Sequence, residues 1–246
     1  MAGIFPLRIA SLEPASLGGV DCHHIGKGID GIDYAVKRVS DHPRVPASEY
    51  ICGCLAQGCG VATPPFEIGE LSDGEKVFAS RWEDGAVSPK ENNSLLLSRP
   101  PLDGLKERLS SIYSFDLFVH NNDRHFENYL LRHRGGRSSH LTPLAHDYSR
   151  AFLYHSCPPP DPPLSPDCNT MIHFQMWKKA IGFDPEAAYR ILDLLEKISR
   201  DDFVKIIDQL PDEWISAVDR KSLVAWWTNS SATRIQIIRE SIHGQI

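Results

Sequence analysis

Residues 114–152, SFDLFVHNNDRHFENYLLRHRGGRSSHLTPLAHDYSRAF, gather the polar residues of the chain that are hardest to explain as ordinary surface. Tyr129–Arg132 and Leu141–His146 read as two short strands joined across Gly135-Gly136. Asp123 and Asn128 precede the first strand, and Asp147 follows the second. The Asp-x4-Asn spacing is weak by itself. With 19 Asp and 7 Asn in 246 residues, about 0.5 such pairs arise by chance, and a second pair, Asp116 and Asn121, does occur. Context separates the two. Asp116 falls inside a helical repeat, where a solvated position is the plain expectation, whereas Asp123 opens an irregular polar loop.

Working outward, Leu102, Leu105, Leu109, Ile112, Phe115 and Val119 recur at three and four residues and predict one long amphipathic helix from about Leu102 to His120. Upstream, the apolar-alternating pieces Leu7–Ala10, Ile32–Val39, Phe66–Leu71 and Lys76–Trp82, separated by Gly and Asp turns, predict a small antiparallel β unit. One helix is inserted in it, Pro46 to Gln57, with Pro46 suited to a first turn and Gly58 and Gly60 as stop signals. Residues 84–100 are polar and rich in turn formers without a sustained period, which marks a lobe boundary. Downstream, helices are expected over Glu186–Ser199, Asp201–Gln209, Glu213–Val218, Leu223–Trp227 and Thr233–Ile242. The expected fold class is α+β, with a β-rich lobe over residues 1–84 and an α-helical lobe over 85–246.

This order of residues matches what phosphoryl transfer of the protein-kinase type requires: an Asp that takes the acceptor hydroxyl proton, an Asn five residues on and a second Asp beyond a hairpin to hold Mg²⁺, and a strand Lys oriented by a helix Glu to grip phosphates. Asp123 is then the base, Asn128 and Asp147 the metal ligands, and Lys37 in Tyr34-Ala35-Val36-Lys37 and Glu49 in the first turn of the inserted helix the phosphate grip. Singly, each has a bland explanation: a strand-end Lys is usually solvated, and the helix dipole alone favours an early Glu. Gly26-Lys-Gly28-Ile-Asp-Gly31 spells G-x-G-x-x-G, but Lys37 follows only six residues later. That is too few for a phosphate loop, its returning strand and a turn, so the motif reads as a turn into the Lys37 strand. Ser16-Leu17-Gly18-Gly19 is the better candidate for a loop whose backbone N–H groups approach phosphate.

Asp-Arg-His-x-x-Asn preceded by Asn-Asn, followed after a short hairpin by Leu-x-x-x-Asp-Tyr-x-x-Ala-Phe, resembles the HipA-like kinase family. Lys37, the Ser-Glu-Tyr helix start and Gly60-Val61-x-x-Pro64 resemble its N-lobe, and Leu210-Pro-Asp-Glu-Trp214 the C-terminal helices of its shorter members. The resemblance implies a two-lobed protein-kinase-like fold, ATP- and Mg²⁺-dependent phosphorylation of Ser or Thr on a protein, and adenine seated at a lobe hinge near Ser80, Arg81, Trp82 and Glu83. It further implies an aminoacyl-tRNA synthetase as a substrate and an antitoxin as a partner, since well-known members are toxins of toxin–antitoxin pairs. Three departures stand out. Few residues precede Ser16, so the extra N-terminal subdomain of larger HipA proteins is not expected. Ser16 aligns only weakly with the phosphate-loop serine whose phosphorylation switches off some relatives. Tyr-Ser follows Asp147 where kinases carry Phe-Gly. Phosphatidylinositol kinases share the Asp-Arg-His-x-x-Asn loop, which leaves lipid or small-molecule hydroxyls as alternative acceptors.

Composition narrows the classes further. Lys and Arg number 26 against 32 Asp and Glu, so the molecule as a whole lacks the cationic field of a nucleic-acid binder. No run approaches a membrane helix and no signal peptide opens the chain, which makes a cytoplasmic protein the expectation. Six cysteines in a chain of this length are expected as reduced structural thiols. Pro158–Pro166 reads as an extended loop in the position of an activation segment, and Trp214, Trp226 and Trp227 as core. Two rival readings remain: a nucleotide-binding pseudokinase or interaction module, and an HD-type metallophosphohydrolase using His120, His125 and His146-Asp147. Such a hydrolase places its His-Asp pair on a helix, whereas Pro143 and its flanks predict a strand end.

Overall fold

The computed structural model describes residues 7–15, 24–83, 86, 89–98, 102–133 and 141–244. Five strands form a closed barrel in the order β1-β2-β3-β5-β4: β1 (Leu7–Pro14), β2 (His24–Gly28), β3 (Asp33–Lys37), β4 (Phe66–Glu70) and β5 (Lys76–Arg81). Four of the five pairings are antiparallel, but β1 and β4 close the barrel in parallel through Leu7↔Gly69 and Arg8↔Glu70. The sequence reading of a purely antiparallel unit is corrected here. Alternation within each strand cannot reveal which edges meet. Leu7, Ile9, Tyr34, Val36, Leu71, Val77 and Ala79 fill the barrel as a separate small core.

The G-x-G-x-x-G stretch is partly strand. Gly26 and Gly28 lie within β2, which the sequence reading took for turn, and only the residues after Gly28 turn back toward β3. A Cβ on Gly26 would stand 2.8 Å from side-chain carbons of Ile9 and Val36, so close strand packing requires this glycine. Gly31, at φ +80°, supplies the turn.

α1 (Val45–Gly58) covers the barrel with Pro46 in its first turn, and its inner face joins the main core through Ile51, Cys52, Leu55 and Ala56. The segment read as a structureless boundary contains a helix, α2 (Pro89–Leu96). Its buried amide, Asn92, donates from Nδ2 to the Tyr129 carbonyl at 2.7 Å, and Leu96 is fully buried in the main core, so one polar tie and one short apolar contact hold a helix too brief to show a sustained period. α3 (Leu105–Phe118) runs through the middle of the main core. Ser110 and Ser114 are buried on it with their hydroxyls bonded to the Lys106 and Ala188 carbonyls, so the helix is enclosed well beyond its apolar stripe.

After α3 a loop and a short 3₁₀ turn, Phe126–Asn128, lead into the two-stranded sheet of β6 (Tyr129–His133) and β7 (Leu141–Ala145). The helices α4 (Asn169–Ile181), α5 (Pro185–Glu196), α6 (Arg200–Asp208) and α7 (Ala217–His243) complete the chain. The expected helix at Glu213–Val218 is absent: Trp214 and Ile215 are buried in turns, and Ser216 caps α7 by accepting from the Asp219 amide. The two expected helices beyond it are one of 27 residues. Asn229, Ser230 and Ser231 interrupt the apolar pattern, yet the helix passes through, anchored on both sides by buried Leu223, Trp226, Trp227, Ile235 and Ile238, while Thr228 and Ser231 fold their hydroxyls back onto the Val224 and Trp227 carbonyls at 2.9 and 2.6 Å. Trp214, Trp226 and Trp227 are core residues as expected. The proline-rich loop is pinned: Leu164 is buried and the Pro160 carbonyl accepts from Arg234. Among the described residues the cysteines are free, and no helix is long and apolar enough to cross a membrane.

Candidate active site

Lys37, the last residue of β3, points between α1 and the segment after β7. Its ammonium contacts Glu49 Oε1, Asp147 Oδ1 at 2.8 Å and Ser149 Oγ at 2.7 Å. Glu49 is fixed in turn by the Tyr148 amide at 2.9 Å, and Ser48 beside it donates to the Tyr148 or Ala151 carbonyl. The Ser149 hydroxyl touches Lys37, Asp147 at 2.6 Å and Glu49 at 3.1 Å, and its amide faces Asp147 Oδ1 at 3.3 Å. Lys37 and Glu49 are buried. Burial would lower the Lys37 pKa, but Asp147 and Glu49 outweigh it and hold the ammonium above its ordinary range. For Asp147 burial pulls upward, and the ammonium together with the Ser149 hydroxyl outweighs it and holds the carboxyl far below the usual range. Burial raises Glu49 despite Lys37.

Asp147 adopts φ +61°, a conformation that costs a non-glycine residue about 1–3 kcal/mol and persists only where its surroundings impose it. The bonds from Lys37 and Ser149 impose it here. The His146 amide bonds to the Asn128 carbonyl at 3.3 Å, extending the β6–β7 ladder beyond Tyr129↔Ala145, so Asn128 and Asp147 sit at one end of the hairpin. Asn128 Nδ2 donates to the Asp123 carbonyl at 2.9 Å, and the Asp123 amide meets Asn121 Oδ1 at 3.2 Å. The Asp123 carboxylate accepts from Asn169 Nδ2 at 2.5 Å on Oδ1 and faces Arg150 Nε at 3.4 Å on Oδ2.

Arg124 braces this loop. Its Nε and Nη2 each donate at 2.9 Å to the two oxygens of Asp116, while Nη1 reaches the Asn128 carbonyl at 2.9 Å and the His146 carbonyl. Its guanidinium stacks 4.8 Å from the Tyr148 ring centre. Asp116 is fully buried, which corrects the expectation of a solvated residue. The chance motif pair Asp116 and Asn121 turns out to be a bonded pair, with Asn121 Nδ2 donating to Asp116 Oδ1 at 2.9 Å. Thr170 completes the brace: its hydroxyl takes the Arg124 amide and donates to the Asn121 carbonyl at 2.6 Å.

Lys37, Glu49 and Asp147 are therefore brought together, Asn128 stands beside Asp147 at the hairpin end, and Asp123 is tied to Asn128. Ser80, Arg81, Trp82 and Glu83 lie along and just beyond β5; the Arg81 and Trp82 amides are already bonded to the Pro65 and Asp33 carbonyls, so those two donors are not open to an adenine ring. Glu83 pairs with Arg132 at 3.3 Å. Ser16, Gly18 and Gly19 lie outside the described residues. Residues that sequence reasoning missed are Asp116, Ser149, Arg150, Asn169 and Thr170. Ser149 carried a signal, a hydroxyl where kinases have Gly; Asn169 and Thr170, 46 residues from the positions they serve, carried none. The groups of the HD-type reading are engaged otherwise, with His146 Nε2 3.0 Å from the Glu127 carbonyl and Asp147 on Lys37. Among the described residues no three His, Cys, Asp or Glu side chains converge as a metal cluster.

A barrel carrying a Lys–Glu pair, set over a helical body that supplies an Asp-x4-Asn loop and a post-hairpin Asp, defines a protein of the protein-kinase-like class. Residues 13–134, just under half of the chain, match the family model of the HipA-like kinases. No curated protein matches the chain. Among solved structures, the fold is similar to the Helicobacter pylori proinflammatory kinase CtkA, at 13% identity and a TM-score of 0.65 over 95% of this chain and 96% of that one. It is also similar to HipA of the Shewanella oneidensis MR-1 toxin–antitoxin system, solved with HipB and operator DNA, at 14% identity and a TM-score of 0.53 over 84% of this chain and 60% of that one.

Proposed function

We propose that the chain transfers the γ-phosphate of ATP, with Mg²⁺, to a Ser or Thr hydroxyl of a protein. The observation that carries this reading is the meeting of Lys37, Glu49 and Asp147 in one buried cluster beside Asn128. The donor set fits Mg²⁺: a carboxylate and a carboxamide are hard oxygen ligands, few enough to leave room for phosphate oxygens and water. Bound there, the ion would neutralise charge on the phosphates. Lys37, held by Glu49, would steady the nucleotide phosphates. Asp123, at the mouth of the loop that Arg124 braces, would orient the acceptor hydroxyl and take its proton. A protein acceptor, rather than a lipid or small-molecule hydroxyl, is carried over from the family. The toxin role and an antitoxin partner are proposed on the family alone, since this chain spans 60% of the HipA structure that has HipB bound.

ADP release from Mg-ATP, measured beside nucleotide binding, tests the reading. The wild type should bind and turn over ATP; Lys37→Met should lose binding; Asp123→Asn should bind normally and lose turnover by at least about 100-fold. Binding without turnover in the wild type would instead mark a pseudokinase.

A further inference from the structure

The backbone of Asp123 is fixed on both sides, by Asn121 Oδ1 on its amide and by Asn128 Nδ2 on its carbonyl. What those bonds leave free is rotation of the carboxylate. Asn169 takes up that freedom: its side chain lies 2.5 Å from Asp123 Oδ1, and only its N–H₂ can face a carboxylate oxygen at that distance, since the amide oxygen would set two acceptors against each other. Asn169 is itself held in place. Its neighbour Thr170 is buried, bonded through its hydroxyl to the Arg124 amide and the Asn121 carbonyl, and its amide faces the Asn122 carbonyl at 3.4 Å. The same loop that carries Asp123 therefore sets the position of the residue that orients it. The other carboxylate oxygen, Oδ2, faces Arg150 across 3.4 Å, and that arginine is 36% exposed. At 3.4 Å this is a charge contact longer than a strong hydrogen bond, one that an incoming hydroxyl can replace at Oδ2.

We propose that Asn169 is a positioning residue for phosphoryl transfer: by holding Oδ1 it presents Oδ2 to the acceptor hydroxyl. This rests on the reading of Asp123 as the base. In the step, the acceptor oxygen bonds to the γ-phosphorus while its proton passes to Asp123 Oδ2. The bond from that phosphorus to the β,γ-bridging oxygen breaks, and ADP leaves with the electron pair.

The test is steady-state kinetics of the full chain with Mg-ATP and a mixed library of Ser- and Thr-containing peptides, for the wild type, Asp123→Asn, Asn169→Ala, Asn169→Asp and Asn169→Ser. Asn169→Ala should lower kcat by about 10- to 100-fold with the KM for ATP within about two-fold, the cost of an unfixed catalytic group. Asn169→Asp, which turns a carboxylate toward Asp123, should fall at least as far, and Asn169→Ser, which keeps a short donor, should recover part of the loss. Transfer that is lost in Asp123→Asn yet within two-fold of wild type in Asn169→Ala overturns this proposal alone. So does a fall in kcat matched by a rise in the KM for ATP and a lowered melting temperature, because that pattern marks a structural role. Absence of transfer by the wild type, or equal transfer by Asp123→Asn, overturns the parent reading and this one with it.

Discussion

At Arg124 a single guanidinium joins the core helix α3, the start of β6 and the end of β7, through Asp116 and two backbone carbonyls. The bidentate pair is buried, so its two halves stand or fall together. Asp116→Ala leaves an unpaired buried cation and should destabilise the protein by about 3–5 kcal/mol in chemical denaturation, far more than loss of a surface pair. His120 offers a second residue-scale test. Burial, with the nearby Arg234 guanidinium and the His155 ring and against Asp161, pushes its pKa down to about 4, and its Nδ1 has no hydrogen-bond partner. Between the ordinary histidine value near 6.5 and about 4, the unfolded chain binds a proton that the folded chain refuses. Stability should therefore fall as pH drops through that window. His120→Asn, which tolerates the φ of +53° at this position, should flatten the fall between pH 7 and pH 5, read as urea midpoints; an unchanged slope would assign it to other groups. The polar residues of the site were legible in the sequence because their chain order is specific even though each is ordinary alone. Asp116 and Asn169 were not, because an Asp on a helix and an Asn at a helix start each look complete without a distant partner.

Among the elements, the ones that sequence periodicity describes are those whose stability comes from an apolar face: α1, α5 and α6 fall within a few residues of their expected ranges. The ones it missed carry polar residues that interrupt or shorten the apolar pattern. α2 is joined to β6 by the Asn92 side chain and buries only Leu96 fully, and α7 runs unbroken through a Ser-rich stretch because Trp226 and Trp227 before it and Ile235 and Ile238 after it are buried. α7 also carries Arg234, buried, whose donors meet the Phe118 carbonyl at 2.6 Å, the Leu117 carbonyl at 3.5 Å and the Pro160 carbonyl at 2.5 Å. A cation at the C-terminal end of α3 answers the Phe118 carbonyl and the dipole of that helix, and the same side chain ties the proline-rich loop to the core. Arg234→Ala should cost about 3 kcal/mol through the carbonyls it leaves unsatisfied and should speed protease cleavage within residues 158–166. Arg234→Lys, with one nitrogen in place of a fork, should restore only part of the loss. Cleavage at the wild-type rate would show that the loop is held by other contacts, such as buried Leu164.

For the whole molecule, the decisive contact spans 110 residues, from Lys37 on the barrel to Asp147 beyond the hairpin. No local pattern could report it; only the order of the motifs along the chain did. The barrel is also bound to the C-terminal helices away from the site, where Trp214 Nε1 donates to the Lys76 carbonyl at 3.0 Å and Tyr50 Oη to Gln209 at 2.6 Å. These ties hold the Lys37 strand and the α1 glutamate in register with the helical body, so the cluster is assembled by the fold. The central claim is that this assembled cluster transfers phosphate through Asp123. Its most direct test is incubation with γ-labelled ATP and Mg²⁺ in a cell lysate, comparing wild type with Asp123→Asn. Label should appear on a discrete protein Ser or Thr with the wild type and not rise above background with the variant; equal labelling by the two would rule out Asp123 as the base.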